Sequence, residues 1–190
     1  MQYFTIYRNL KKCFLTFHGT GRNEHSLLRV TGEVDPTASI ISFLGETGTG
    51  RNRRYFDPLV QGKLERKNFE EKVAEFLEIW EQAKPADAEI TFIGYSNGAN
   101  FILGILEKMP AIADRVILMH PSNLGYQFSS GSDTPILLTT GASDTLSVPG
   151  EIMKLTSELK EYFPHTESLL LDSGHEISDT EIEAIAKFMR

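Results

Sequence analysis

The chain has 190 residues, and its 19 basic and 26 acidic side chains leave a formal charge of −7. Hydrophobic residues at 41% and charged residues at 24% exclude a disordered composition, and a single cysteine, Cys13, excludes an intrachain disulfide framework and a multi-cysteine metal site. The acidic balance argues against nucleic acid as a partner, no apolar run reaches the roughly 20 residues that span a bilayer, and the opening MQYFTIYRNLKK lacks a signal-peptide core; the expectation is a soluble, cytoplasmic protein with no membrane partner.

In chain order, Tyr3–Tyr7 reads as an edge strand and Cys13–Phe17 as a buried one. Ser39–Leu44 is the next apolar strand, and Gly45–Arg66 a long irregular connection of the kind that is functional or mobile. Lys67–Lys84 sets Phe69, Val73, Phe76, Leu77 and Trp80 on one helical stripe that Pro85 closes. Glu89–Ile93 is a strand and Asn97–Met109 a helix; strands Arg115–Met119 and Pro135–Thr139 follow. Pro149–Phe163 is a helix, Ser168–Leu171 a strand, and Asp179–Arg190 a final helix that Asp179 caps. Alternating strands and helices predict an α/β fold: a mostly parallel sheet with helices on both faces, in one domain over residues 1–190 without a large lid domain.

Residues 94–98, Gly-Tyr-Ser-Asn-Gly, match G-x-S-x-G at a strand-to-helix junction. There a tight turn lifts Ser96 above the sheet, and Cβ atoms at 94 and 98 would collide with the neighbouring backbone. The structural alternative is a packed turn whose serine caps a helix. A serine nucleophile needs a base. Among the five histidines, His175 follows the last strand on the rim where ligands bind such sheets, while His18 and His120 sit at strand ends and His25 and His165 in polar surroundings. Asp144, after strand Pro135–Thr139, lies on that rim and is the candidate to orient His175. The order Ser96, Asp144, His175 is the order this type of fold uses for its triad. The small residues His18-Gly19-Thr20-Gly21 allow close approach of backbone to substrate, and the Thr20 and Asn97 amides are the candidate oxyanion donors.

LTFHGTGRNE, GYSNGAN, TTGASDTLSVP and DSGHEIS together resemble the α/β-hydrolase superfamily, in its small phospholipase/carboxylesterase group and the bacterial MhqD-type members in particular, from about residue 13 onward. The resemblance implies a serine esterase or thioesterase with no metal and no organic cofactor, acting on a small-molecule ester. Gly19, Gly21, Arg22 and Arg54 are the candidate substrate-binding residues. Arg22 stands where relatives often carry a small residue, and Arg54-Tyr55-Phe56 resembles a family Arg-Phe-Phe stretch. Arg51, Arg53 or Arg54 is expected to attract an anionic ester, against the alternative of a solvated basic loop. Other readings are a lactone-opening hydrolase, a non-catalytic binding or sensor protein that keeps the fold, and nucleotide binding through GETGTG, which lacks the lysine of a phosphate cradle. Patterning leaves a homodimer open.

Overall fold

A computed structural model describes residues 1–190. Seven strands, β1 (Gln2–Ile6), β2 (Asn9–Phe17), β3 (Ala38–Leu44), β4 (Glu89–Tyr95), β5 (Arg115–Met119), β6 (Ile136–Gly141) and β7 (Thr166–Leu171), form one sheet in the order β1-β3-β2-β4-β5-β6-β7. Only β1, paired with β3, is antiparallel. The helices are α1 (Leu28–Val34), α2 (Arg66–Ala83), α3 (Asn97–Lys108), α4 (Pro149–Lys160) and α5 (Asp179–Phe188).

Side-chain alternation along the central strands builds two cores. Ile90 and Phe92 of β4 and Val116 and Leu118 of β5 face a large core that α2, α3 and α4 complete with Phe69, Phe76, Phe101 and Leu155. Ile93, Tyr95, Ile117 and Met119 face the opposite side, where Leu27, Val30, Ile182 and Ile185 from around α1 and α5 cover them. Strands apolar on both faces are what a parallel sheet buried between helix layers requires. Phe17, Phe43, Phe76, Phe92 and Phe101 interlock at ring separations of 5.1–6.2 Å just beneath the carboxyl ends of the strands. Each is fully buried, so each contributes roughly 1.5–3 kcal/mol and gives the loops above a rigid floor.

The expected strands and helices are present, with ends displaced by a few residues at most positions; the larger extension is β2, which begins at Asn9 rather than Cys13. Helix α1 has no counterpart in the sequence reading, because Val30, Thr31 and Gly32 are weak helix formers. Packing of Leu27 and Val30 against α5 holds it, together with the ion pairs of Arg29 to Glu33 and Asp179. That pairing also corrects the role expected of Asp179: the cap of α5 is Ser178, whose hydroxyl accepts from the Glu181 amide at 3.2 Å. Strand order reverses between β2 and β4, since the chain after β2 steps outward to β3 while the chain after β4 steps the other way. The two loops leaving those strands therefore part and leave a crevice at the switch point.

Candidate active site

Ser96 stands at that crevice, between the end of β4 and the start of α3. Its backbone has φ 52° and ψ −112°, a strained combination for a residue with a side chain. Two bonds hold the strain: the Ser96 amide donates to the Met119 carbonyl (2.8 Å) and the Asn100 amide donates to the Ser96 carbonyl (3.0 Å). The turn closes because residue 98 is glycine; a Cβ there would lie 2.1 Å from the Phe17 carbonyl oxygen. The Ser96 hydroxyl makes no capping bond to α3, so it does not play the helix-cap role.

Instead the hydroxyl lies 3.0 Å from Nε2 of His175, whose Nδ1 lies 2.8 Å from Oδ2 of Asp144. The structure thus brings the three rim residues into one hydrogen-bonded chain. His175 is steadied by Tyr95, which donates its hydroxyl to the His175 carbonyl (2.8 Å). Burial pushes that phenol up to about 12, so it stays a donor. Asp144 is buried and its other oxygen accepts from the Leu146 and Ser147 amides, each at 2.8 Å. Burial opposes its charge, but the Ser147 amide, His175, His120 and the Leu146 amide outweigh it and hold the carboxyl below its usual range.

His120, which the sequence places only at a strand end, and Glu181, which it does not single out, belong to this network. His120, fully buried, places Nδ1 2.7 Å from the same Asp144 oxygen and Nε2 3.2 Å from Oε2 of Glu181. Glu181, also fully buried, accepts from the Thr139 hydroxyl through its other oxygen. An imidazole with a carboxylate oxygen at hydrogen-bond distance from each nitrogen is favoured in its doubly protonated form. Burial works against that charge; attraction first to Glu181 and then to Asp144 overcomes it, and His120 is raised above its ordinary value. The buried account is two carboxylates and one imidazolium, a net charge of −1 facing His175. The only marker in the sequence is that His120 precedes Pro121 at a strand end; His120 takes φ 49°, against the extended backbone that a residue before proline favours. Two imidazoles and a carboxylate within 4.8 Å are also a donor set that metals use, but both Nδ1 atoms address one oxygen at hydrogen-bond distance, which accounts for the arrangement without an ion.

The loop after β2 closes over Ser96. Gly19 sits against Tyr95 and Ser96, and neither the Thr20 nor the Asn97 amide donates a hydrogen bond within the chain. His18 is buried and locked: Nδ1–H donates to the Gly19 carbonyl (2.8 Å) while Nε2 accepts from the Gly45 amide (3.0 Å). Burial, the largest influence, lowers its pKa, which suits this neutral tautomer. The Gly45–Arg66 connection is pinned rather than loose. Tyr55 is fully buried, its amide donates to the Asn97 side chain (2.8 Å), and its hydroxyl accepts from the His18 amide (3.0 Å) and donates to the Phe43 carbonyl (2.8 Å). Arg54, which precedes Tyr55, lines a cavity of about 140 Å³ together with Thr20, Ser96, Asn97 and Asn100. Gly21 and Arg22 do not reach that cavity; they line an adjoining hollow of about 470 Å³ with Arg51 and Arg53. Cys13 is buried in β2, and burial pushes its thiol up to about 11, so it offers no thiolate.

No protein-family model matches the chain. It is 26% identical over 175 residues to the putative hydrolase MhqD of Bacillus subtilis, covering 89% of this chain and 88% of that one. A carboxylesterase from Bacillus cereus superposes with a TM-score of 0.87 at 25% identity, covering 99% of this chain and 92% of the other. The acyl-protein thioesterase 2 of Zea mays shares the fold at 16% identity, with a TM-score of 0.81 and coverage of 99% and 97%. No helix is long and apolar enough to cross a membrane.

Proposed function

We propose that this chain, an α/β hydrolase by its fold and its likeness to MhqD and to the Bacillus cereus carboxylesterase, is a serine esterase working through an acyl-enzyme. The observation that carries the reading is the Ser96–His175–Asp144 chain at 3.0 and 2.8 Å, with the serine on a strained elbow beside two free amides. Ser96 Oγ attacks the ester carbonyl carbon as its proton passes to His175 Nε2. The carbonyl oxygen takes up the electron pair and accepts from the Thr20 and Asn97 amides, donors worth roughly 100- to 1000-fold each in rate. Collapse of the intermediate breaks the bond to the alcohol oxygen, which leaves with the proton from His175. Water then attacks the acyl-serine, giving a proton to His175, and the second collapse releases the acid and restores Ser96. Asp144 holds the tautomer of His175 that accepts at Nε2, and the net −1 behind it balances the imidazolium formed at each step.

A fluorophosphonate probe tests this directly. The expected result is labelling of one serine per chain, abolished in Ser96→Ala together with hydrolysis across a panel of esters and thioesters. Retained hydrolysis in the Ser96→Ala protein would falsify the reading.

A further inference from the structure

The charge distribution around Ser96 extends that reading to the substrate. Arg29, Arg66 and Arg115 each meet a carboxylate. Arg8 and Arg190 meet none, and neither do Arg22, Arg51, Arg53 and Arg54 at the crevice, although the chain as a whole is acidic. These four stand together because two loops at the crevice are stitched to each other. The Gly21 amide donates to the Arg53 carbonyl (2.8 Å), and Gly21, at φ 73°, lies so close to the Arg51 backbone that a Cβ would approach its oxygen to 2.8 Å. Thr47 and Arg54 pair as a bridge at the base of the second loop, with amide–carbonyl bonds of 2.8 and 3.1 Å.

Within this group Arg54 is placed differently from the rest. It lines the Ser96 cavity alongside the Thr20 and Asn97 positions; like Arg53, whose Nη1 donates to the Gly45 carbonyl (3.1 Å), it is half-buried and donates to a carbonyl, its Nε to Asn52 (3.2 Å). Tyr55 anchors it from the core side. Three carboxylates are near, and none of them pairs with these arginines: Glu176 shares a cavity with Arg22 on the Tyr95 side. Asp57 lines the Ser96 cavity but is exposed and makes no ion pair, and Glu24 lines the adjoining hollow but faces His25 at 3.7 Å. Guanidiniums without ion-pair partners leave the approach to Ser96 positive, a field that favours an anionic ligand.

We propose that the esters hydrolysed at Ser96 carry a carboxylate, bound by the guanidinium of Arg54, and that Arg22, Arg51 and Arg53 form a positive rim that draws the anion in. The inference rests on the esterase reading for turnover but not for binding. Arginine suits the task because its planar fork pairs both oxygens of a carboxylate while staying charged at any pH the fold survives.

The experiment compares kcat/KM for two anionic esters with those for uncharged partners of matched length. Mono-4-nitrophenyl adipate against 4-nitrophenyl hexanoate carries the charge on the acyl side; 4-acetoxybutanoate against pentyl acetate carries it on the alcohol side. At least one anionic ester is expected to be preferred about tenfold or more at low salt. Arg54→Ala erases that preference, Arg54→Lys restores part of it, and Arg51→Ala weakens its salt dependence. A wild-type enzyme that favours both neutral esters overturns the proposal, as does a preference that survives Arg54→Ala. An acyl-side phosphonate turned over tenfold better than the adipate ester overturns the carboxylate assignment. Titrating monomethyl adipate into Ser96→Ala protein, with and without Arg54→Ala, reads the anion site without catalysis. Binding that needs Arg54 supports the proposal even where fluorophosphonate labelling fails and the esterase reading falls; binding indifferent to Arg54 overturns it.

Discussion

Replacing Glu181 by glutamine removes one buried charge while keeping the shape of the side chain, and its consequences follow from the contacts of His120. In the native protein His120 is charged because Glu181 and Asp144 flank it. In the Glu181→Gln protein an amide faces Nε2, which must then accept, so His120 adopts its neutral form with Nδ1–H still donated to Asp144. The loss is a charge-assisted pair in a fully buried setting, about 3 kcal/mol, where the roughly 1.5–3 typical of charged hydrogen bonds meets the 3–5 for breaking a buried pair outright. For a chain of this length that lowers Tm by roughly 5–10 °C. The sign with pH is fixed by the upward shift of His120. The stability it contributes is fully present below the unfolded histidine value of about 6.5 and is lost as pH rises through the raised folded value. The Glu181→Gln penalty is therefore largest in mild acid and shrinks toward alkaline pH, where native His120 has lost its proton and Glu181 stands uncompensated. Thermal unfolding of both proteins from about pH 6 to 10 measures it. An equal penalty across that range would refute a charged His120.

Asp144→Asn leaves the packing nearly isosteric but no longer fixes the accepting tautomer of His175, and kcat is expected to fall about 10⁴-fold with little change in KM. The same substitution removes a depressed carboxyl, whose stability is present above the unfolded value of about 3.9 and lost as pH falls through the folded one. Urea unfolding between about pH 5 and 2 should accordingly weaken the native protein more steeply than the variant. Tyr55→Phe strands the His18 amide and the Phe43 carbonyl, both buried, and is expected to cost roughly 1–3 kcal/mol by denaturant unfolding, with slower ester turnover as the Thr20 loop loosens.

Much of this protein is legible in one dimension. Short continuous apolar runs mark the strands and helical spacing marks the four longer helices, because burial between two helix layers demands apolar residues on both faces of a strand and along one stripe of a helix. The glycines at 94 and 98 and the chain order of Ser96, Asp144 and His175 also mark the rim where the structure brings those three together, since strand carboxyl ends in a parallel sheet share one edge. Helix α1 is invisible at that level because its residues prefer other conformations and tertiary packing against the sheet and α5 holds it. The pairing of His120 with Glu181 is likewise beyond reach, with 61 residues separating them and neither forming a motif. The difference between Arg54, inside the Ser96 cavity, and Arg22, in the hollow beside it, is decided by how two loops are stitched together at Gly21 and Tyr55. Local preference and periodicity are properties of neighbours along the chain; buried charge and cavity shape are properties of neighbours in space, and only folding creates them.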